Sequence, residues 1–271
     1  MEKNNGKEKS EVPALESAIK ILSYLSRFNN KERSLTQIAK NLSINKSTSH
    51  RILKVLNQYR FVSYDEDSKQ YKLGSYLIIL GERAAEFVDY LQLAKPHLKW
   101  LSEQTQLTSV LLEPVPNDRL VYVAKEEPDS PDSPVQVTVK LGQHFPVTSA
   151  SFGKCYLAFM EEKQRADILR KVNFKQFTDK SITNYEAFNK SLVEVRQKGY
   201  AVSYEEHTPG VFGIAAPIFN SNEQISLVIA CIGFASGVTE DYVNLCGEKL
   251  KEAAKNIMED IGGRPSVYKE L

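Results

Sequence analysis

The chain has 271 residues, of which 42% are hydrophobic, enough to fill packed cores and too many for a chain dominated by disorder. A formal net charge of +1 conceals an asymmetry: residues 12–74 carry eleven Lys or Arg against five acids, a net of +6, which leaves −5 on residues 75–271. A small basic unit that attracts polyanions is therefore joined to a larger acidic one, and no apolar run is long enough for a membrane helix or a secretory leader.

Residues 1–11 are nearly all polar and are expected to form a disordered tail, outside the fold. From Ala14 to Phe28, residues Leu15, Ala18, Ile19, Leu22 and Leu25 recur at helical spacing. Thr36 then caps a short helix with Ile38, Ala39 and Leu42 inward. After a turn at Ser43-Ile44, Asn45 caps a second helix, Lys46 to Gln58, with Ile52, Leu53 and Leu56 on one side. Two helices joined by so short a turn have the dimensions of a helix-turn-helix. Phe61, Val62 and Tyr64 precede an Asp/Ser-rich turn, and Tyr71 and Leu73 follow it, predicting a β-hairpin that would be the wing of a winged helix over residues 12–75.

A helix from Tyr76 to Leu93 is expected to leave this unit. Its apolar stripe (Leu77, Leu80, Ala84, Phe87, Leu91) suits either an internal core or a contact between copies. Pro96 should start another helix, through His97 to Leu101. The pattern over 94–271 then becomes mixed. Strands are expected at Thr108–Glu113, Arg119–Lys125 and Val135–Leu141, the last two separated by an exposed EEPDSPDSP loop. Helices follow at Phe152–Glu161, Gln164–Lys171 and Tyr185–Lys198, then strands at Tyr200–Glu205, Gly213–Phe219 and Gln224–Phe234, and a closing helix Glu240–Ile261. This order predicts an α+β chain, with a sheet-and-helix domain after the helix-turn-helix.

The start of the second helix, NKSTSHRILK, offers Asn45, Lys46, Ser47, Thr48 and Ser49, then His50 and Arg51. Short polar side chains let the helix backbone approach a DNA groove, and Arg51 can grip a phosphate or a guanine edge. A solvated helix start would look similar. The hairpin and the +6 charge turn the balance to double-stranded DNA, with Lys54 and Lys72 as phosphate contacts. Glu205, Glu206 and His207 invite a metal or acid/base reading, but with no second ligand cluster they are assigned a structural or rim role, and no metal or cofactor is expected. The three cysteines, Cys155, Cys231 and Cys246, form no CxxC pair and read as reduced core thiols.

The segments LESAIKILSYLS, SLTQIAKNLSINKSTSHRILKVL and YKLGSYLIILG resemble the winged helix of the IclR family, named for the isocitrate lyase regulator. LGQHFPVTSASFGKCYLAF and KGYAVSYEEHTPGVFGIAAPIFNSNEQISLVIACIGF resemble that family's effector domain, so the likeness runs from Val12 to Ile261. It implies a cytoplasmic transcriptional regulator, a repressor, with a GAF-like α/β effector domain, acting as a homodimer or dimer of dimers on a palindromic operator. One departure is Arg60, where members usually have Gly, which must enter the left-handed region or end the helix differently. By resemblance, the effector pocket is lined by Ser149, Ser151 and Phe152, by Tyr204 and Gly213, and by Ala230 and Ile232. The last two replace serines common in the family. An apolar wall with a few donors near a helix start then suits an amphipathic carboxylate, unless Phe152 and Ile232 fill the space themselves. A metabolite-converting enzyme with an accessory DNA-binding unit is the alternative; the chain lacks a P-loop, a nucleophile elbow and a metal-spaced cluster.

Overall fold

The computed structural model describes residues 12–87, 89–129 and 137–264. The expected disordered tail, and residues 130–134 of the predicted exposed loop, lie outside them. The chain divides into two compact units, one ending at residue 87 and one beginning at 88.

In the first unit, α1 (Pro13–Leu25), α2 (Leu35–Leu42) and α3 (Lys46–Gln58) surround a core of Ile21, Leu25, Ile38 and Leu53, each at most 2% exposed. The start of α2 is set by Ser34, not Thr36: the Ser34 hydroxyl accepts the Gln37 N–H, and the Gln37 side chain returns a bond to the Ser34 N–H. Thr36 is exposed, inside the first turn. Ser43, at φ 53°, closes α2, and three residues later α3 begins. The wing is a hairpin of β2 (Val62–Asp65) and β3 (Gln70–Leu73), Asp65 binding the Ser68 and Asp67 N–H groups across its turn. A two-residue strand, β1 (Arg33–Ser34), adds to its free edge and is too short for any periodicity to reveal. Arg60 does take the left-handed conformation, at φ 60°. Gly74 packs directly on that turn, where a Cβ would sit 2.1 Å from the Arg60 carbonyl oxygen.

One helix, α4, spans Tyr76–Phe87 and the next, α5, spans Asp89–Thr105. The predicted break before Pro96 is absent. Loss of one backbone bond at an interior proline costs about 3 kcal/mol. Continuity through Pro96 keeps Ala94, before it, and Leu98 and Leu101, after it, on one completely buried face of α5.

The second unit is a three-layer sandwich. Its six-stranded antiparallel sheet contains β4 (Thr108–Val115), β5 (Arg119–Glu126), β6 (His144–Pro146), β7 (Ala201–Tyr204), β8 (Val211–Phe219) and β9 (Ile225–Phe234), in the order β6-β5-β4-β9-β8-β7. Helices α5 and α9 (Glu240–Asp260) cover one face; α6 (Ala150–Phe159) and α8 (Tyr185–Lys198) cover the other, with α7 (Glu162–Lys171) beside them. The central strands read as nearly unbroken apolar runs because both faces are buried. The strand expected at 135–141 is not formed over 137–141; the edge position is taken by His144–Pro146, paired with Arg119–Val121. Val139 owes its apolar character to side-chain burial rather than to a ladder.

Candidate nucleic-acid interface and effector cavity

The face of α3 opposite its core carries Ser47, His50, Arg51, Lys54 and Gln58, all exposed. Asn45 occupies the N-cap position of α3, and its side chain makes no capping bond. Lys46 is exposed beside it, and Thr48 is half-buried, lining with Arg51 an open groove whose other side is Ala14, Leu15 and Ala18 of α1. Ser49 departs from the expected pattern: it is fully buried, its hydroxyl has no partner among the described residues, and it points into the three-helix core rather than outward. Its place follows from the wheel, since Ser49 and Leu53 are one turn apart on the inner face. Lys72, on β3, is exposed and lies 3.8 Å from Glu32.

In the second unit, a cavity of about 240 Å³ opens between the start of α6 and the ends of β7, β8 and β9. Its apolar wall is an aromatic cluster: Phe145 meets Tyr122 and Phe152 at steep ring angles of 62° and 59°, both with ring centroids at 4.7 Å. Ile232 and Val139 extend this wall. Phe152 and Ile232 thus line the cavity without filling it. Gly213 shapes the floor, because a Cβ there would stand 2.9 Å from the Ser151 hydroxyl and 3.1 Å from that of Ser203. Ser151 lines the cavity, and its hydroxyl is buried at the wall with no hydrogen-bond partner among the described residues.

The α6 helix starts with unusual backbone. Ala150 is left-handed at φ 56°, and Ser149, at the N-cap position, does not cap the helix. Its hydroxyl instead meets the His207 Nδ1 at 2.6 Å. The first-turn N–H groups of α6 therefore receive no side-chain cap, and the positive end of the helix dipole is left facing this site. His207 also packs between the rings of Phe177 and Phe145. Burial, with the charges of Arg119 and Lys175, holds its imidazole below the usual histidine range, which keeps it neutral at pH 7. One turn further along α6, Lys154 donates to the Val202 carbonyl at 2.6 Å and to the Glu206 carboxylate at 2.5 Å. Glu205 turns away to meet Lys180.

Of the expected pocket residues, Ser151, Phe152, Gly213 and Ile232 line the cavity, and Ser149 is held next to it through His207. Tyr204 does not: it is 41% exposed and stacks on Phe212 on the other side of β7. Side chains alternate along a strand, so Ser203, paired with Gly213, is the residue that faces inward. Ala230 is fully buried in the adjoining core and is not on the cavity wall. Glu206 and His207, assigned a structural or rim role, are wall residues. Cross-strand pairing with Gly213 could have pointed to Ser203; nothing local distinguishes Glu206 from Glu205. Among the described residues no cluster of three His, Cys, Asp or Glu is placed to hold a metal, and no helix is long and apolar enough to cross a membrane.

Two family profiles match the chain: the IclR helix-turn-helix domain over residues 14–66 and the bacterial transcriptional regulator IclR C-terminal domain over 83–259. Among solved structures, it is similar to the IclR transcriptional regulator from Alicyclobacillus acidocaldarius, with 38% identity, a TM-score of 0.85, and coverage of 93% of this chain and 100% of that one. A curated relative, the HTH-type transcriptional repressor AllR of Salmonella typhimurium, is 29% identical over 94% of this chain and 92% of its own length. An IclR homologue from Microbacterium hydrocarbonoxydans complexed with 4-hydroxybenzoate shares the fold at 20% identity and a TM-score of 0.71, over 92% of this chain and 99% of that one.

Proposed function

The chain belongs to the IclR family of bacterial transcriptional regulators, and from that membership we propose that it is a cytoplasmic repressor whose α3 reads a palindromic operator and whose cavity senses a small carboxylate. Relatives of the chain are named as transcriptional regulators rather than enzymes. The observation that carries the carboxylate reading is the α6 start: uncapped N–H groups and a helix dipole meet the cavity beside the buried, unpartnered Ser151 hydroxyl, next to the apolar wall of Tyr122, Phe145 and Phe152. The 4-hydroxybenzoate held by the Microbacterium protein is a ligand of this chemistry in the same fold.

On the DNA side, we assign Arg51 and Ser47 to base edges and Lys46, Lys54 and Lys72 to phosphates, with Asn45, Thr36 and His50 as further contacts; all eight are exposed. Thr48, half-buried, supports the helix start from the α1 side. One α3 covers only a half-site, so the functional unit is a homodimer or a dimer of dimers. Exposed apolar side chains support this: Leu15 and Ile19 on α1 and Ile78, Ile79 and Leu80 on α4 are all more than a third exposed. Effector binding that prefers one arrangement of the dimer would shift the population able to span both half-sites. The test is a mobility-shift titration of the full-length protein on DNA upstream of its own gene, with and without a panel of carboxylates. Release by at least one acid supports the reading; binding that no acid changes contradicts it.

A further inference from the structure

The cavity wall contains one anion, Glu206, in a place where a plain apolar acid would leave it unanswered. Its side chain is 15% exposed, and among the described residues one of its oxygens is engaged, by Lys154. Lys154 is 6% exposed, shares its charge with the Val202 carbonyl and is not itself a wall residue. Among the described residues the second carboxylate oxygen has no donor. Lys154 thus balances the charge of Glu206 while leaving half of its hydrogen-bonding capacity open to the cavity. A carboxylate oxygen in a largely buried position gains substantially from a donor.

We infer that Glu206 is a specificity-determining residue that accepts a hydrogen bond from an effector hydroxyl, so that the ligand class is a hydroxy-carboxylate. This rests on the carboxylate reading above. Two physical points choose the donor. Like charges repel, so the effector carboxylate sits at the α6 start beside Ser151, and the group that meets Glu206 belongs to another part of the ligand. An ammonium there would place a second cation on a carboxylate already neutralised by Lys154, whereas a hydroxyl supplies the proton without adding charge. The 240 Å³ volume limits the ligand to a small molecule, below the usual 300–1,000 Å³ range of drug-sized sites.

The experiment is calorimetric titration of the full-length protein with matched acids: benzoate against its three monohydroxy isomers, pentanoate against 4- and 5-hydroxypentanoate, and the corresponding amino acids. At least one hydroxylated acid should bind about ten-fold or more tightly than its parent, the range expected for a hydrogen bond to a charged group. In Glu206→Gln, and in the double variant Lys154→Met with Glu206→Gln that removes both buried charges, that ratio should fall below about three-fold. The wild-type comparison stands even if a variant fails to fold. Parent and hydroxylated acids binding equally would overturn the role of Glu206 and leave the carboxylate reading intact. A ratio unchanged in folded variants, or amino analogues binding tighter than hydroxy analogues, would also overturn it. Binding of no acid would remove both readings.

Discussion

Gly213→Val offers a way to close the effector cavity from its floor. A Cβ at this position meets the Ser151 hydroxyl at 2.9 Å and the Ser203 hydroxyl at 3.1 Å. Both obstacles are single rotatable hydroxyls, and Gly213 does not have positive φ, so a first methyl is accommodated by their rotation. Replacing a strand glycine recovers about 0.5–1 kcal/mol of backbone entropy, which offsets much of that adjustment. The two further methyls of valine enter space otherwise open to the ligand, where overpacking costs roughly 1–3 kcal/mol. Charged against the ligand, that is about a 5- to 150-fold loss of effector affinity. The assay is operator release by the best-binding acid of the panel, read by fluorescence anisotropy alongside the operator affinity of the ligand-free protein. The variant should hold the operator with wild-type affinity and need correspondingly more acid to let go. A folded Gly213→Val protein with an unchanged release curve would refute the placement of the cavity.

Ser49→Ala should stabilise the first unit by about 1 kcal/mol, since a buried hydroxyl without a partner is removed, and should leave operator affinity unchanged; denaturant titration and anisotropy check the two halves, and weakened DNA binding would return Ser49 to the reading face. His207 is neutral in the fold and its pKa lies below its unfolded value, so it has no influence on stability above about pH 6.5. As pH falls from there through the folded value, the unfolded chain takes up a proton first and stability is lost, by at most about 1.4 kcal/mol per pH unit. His207→Gln should therefore show a shallower loss between pH 7 and pH 5 in thermal melts; parallel curves would contradict the buried, neutral imidazole.

Long periodic elements were the readable ones. Helices α3 and α8 and strands β8 and β9 announce themselves because their burial patterns run over nine or more residues. The two-residue β1 and the three-residue β6 carry too few side chains for a period, and exist because a neighbouring strand edge offers bonds. Pro96 misled for the opposite reason: a strong local signal was outweighed by the burial of a helix face that continues from Ala94, before it, to Leu98 and Leu101, after it. At the cavity, the family resemblance placed the α6 start, Gly213 and Ile232 in advance, but the choice between Ser203 and Tyr204 depended on strand register, which a shift of one residue inverts. Glu206 and His207 became wall residues through partners far away in the chain, Lys154 and Ser149, and no local pattern reports such contacts.

The central claim is that the outer face of α3 reads operator DNA, and Arg51 stands in the middle of that face. The most direct measurement is the operator affinity of full-length wild type and Arg51→Ala, side by side at one fixed salt concentration, with a scrambled duplex as the reference. Loss of a base contact predicts a weakening of roughly 1–3 kcal/mol on the operator and a smaller change on the scrambled duplex. Equal operator affinity for the two proteins would contradict the account.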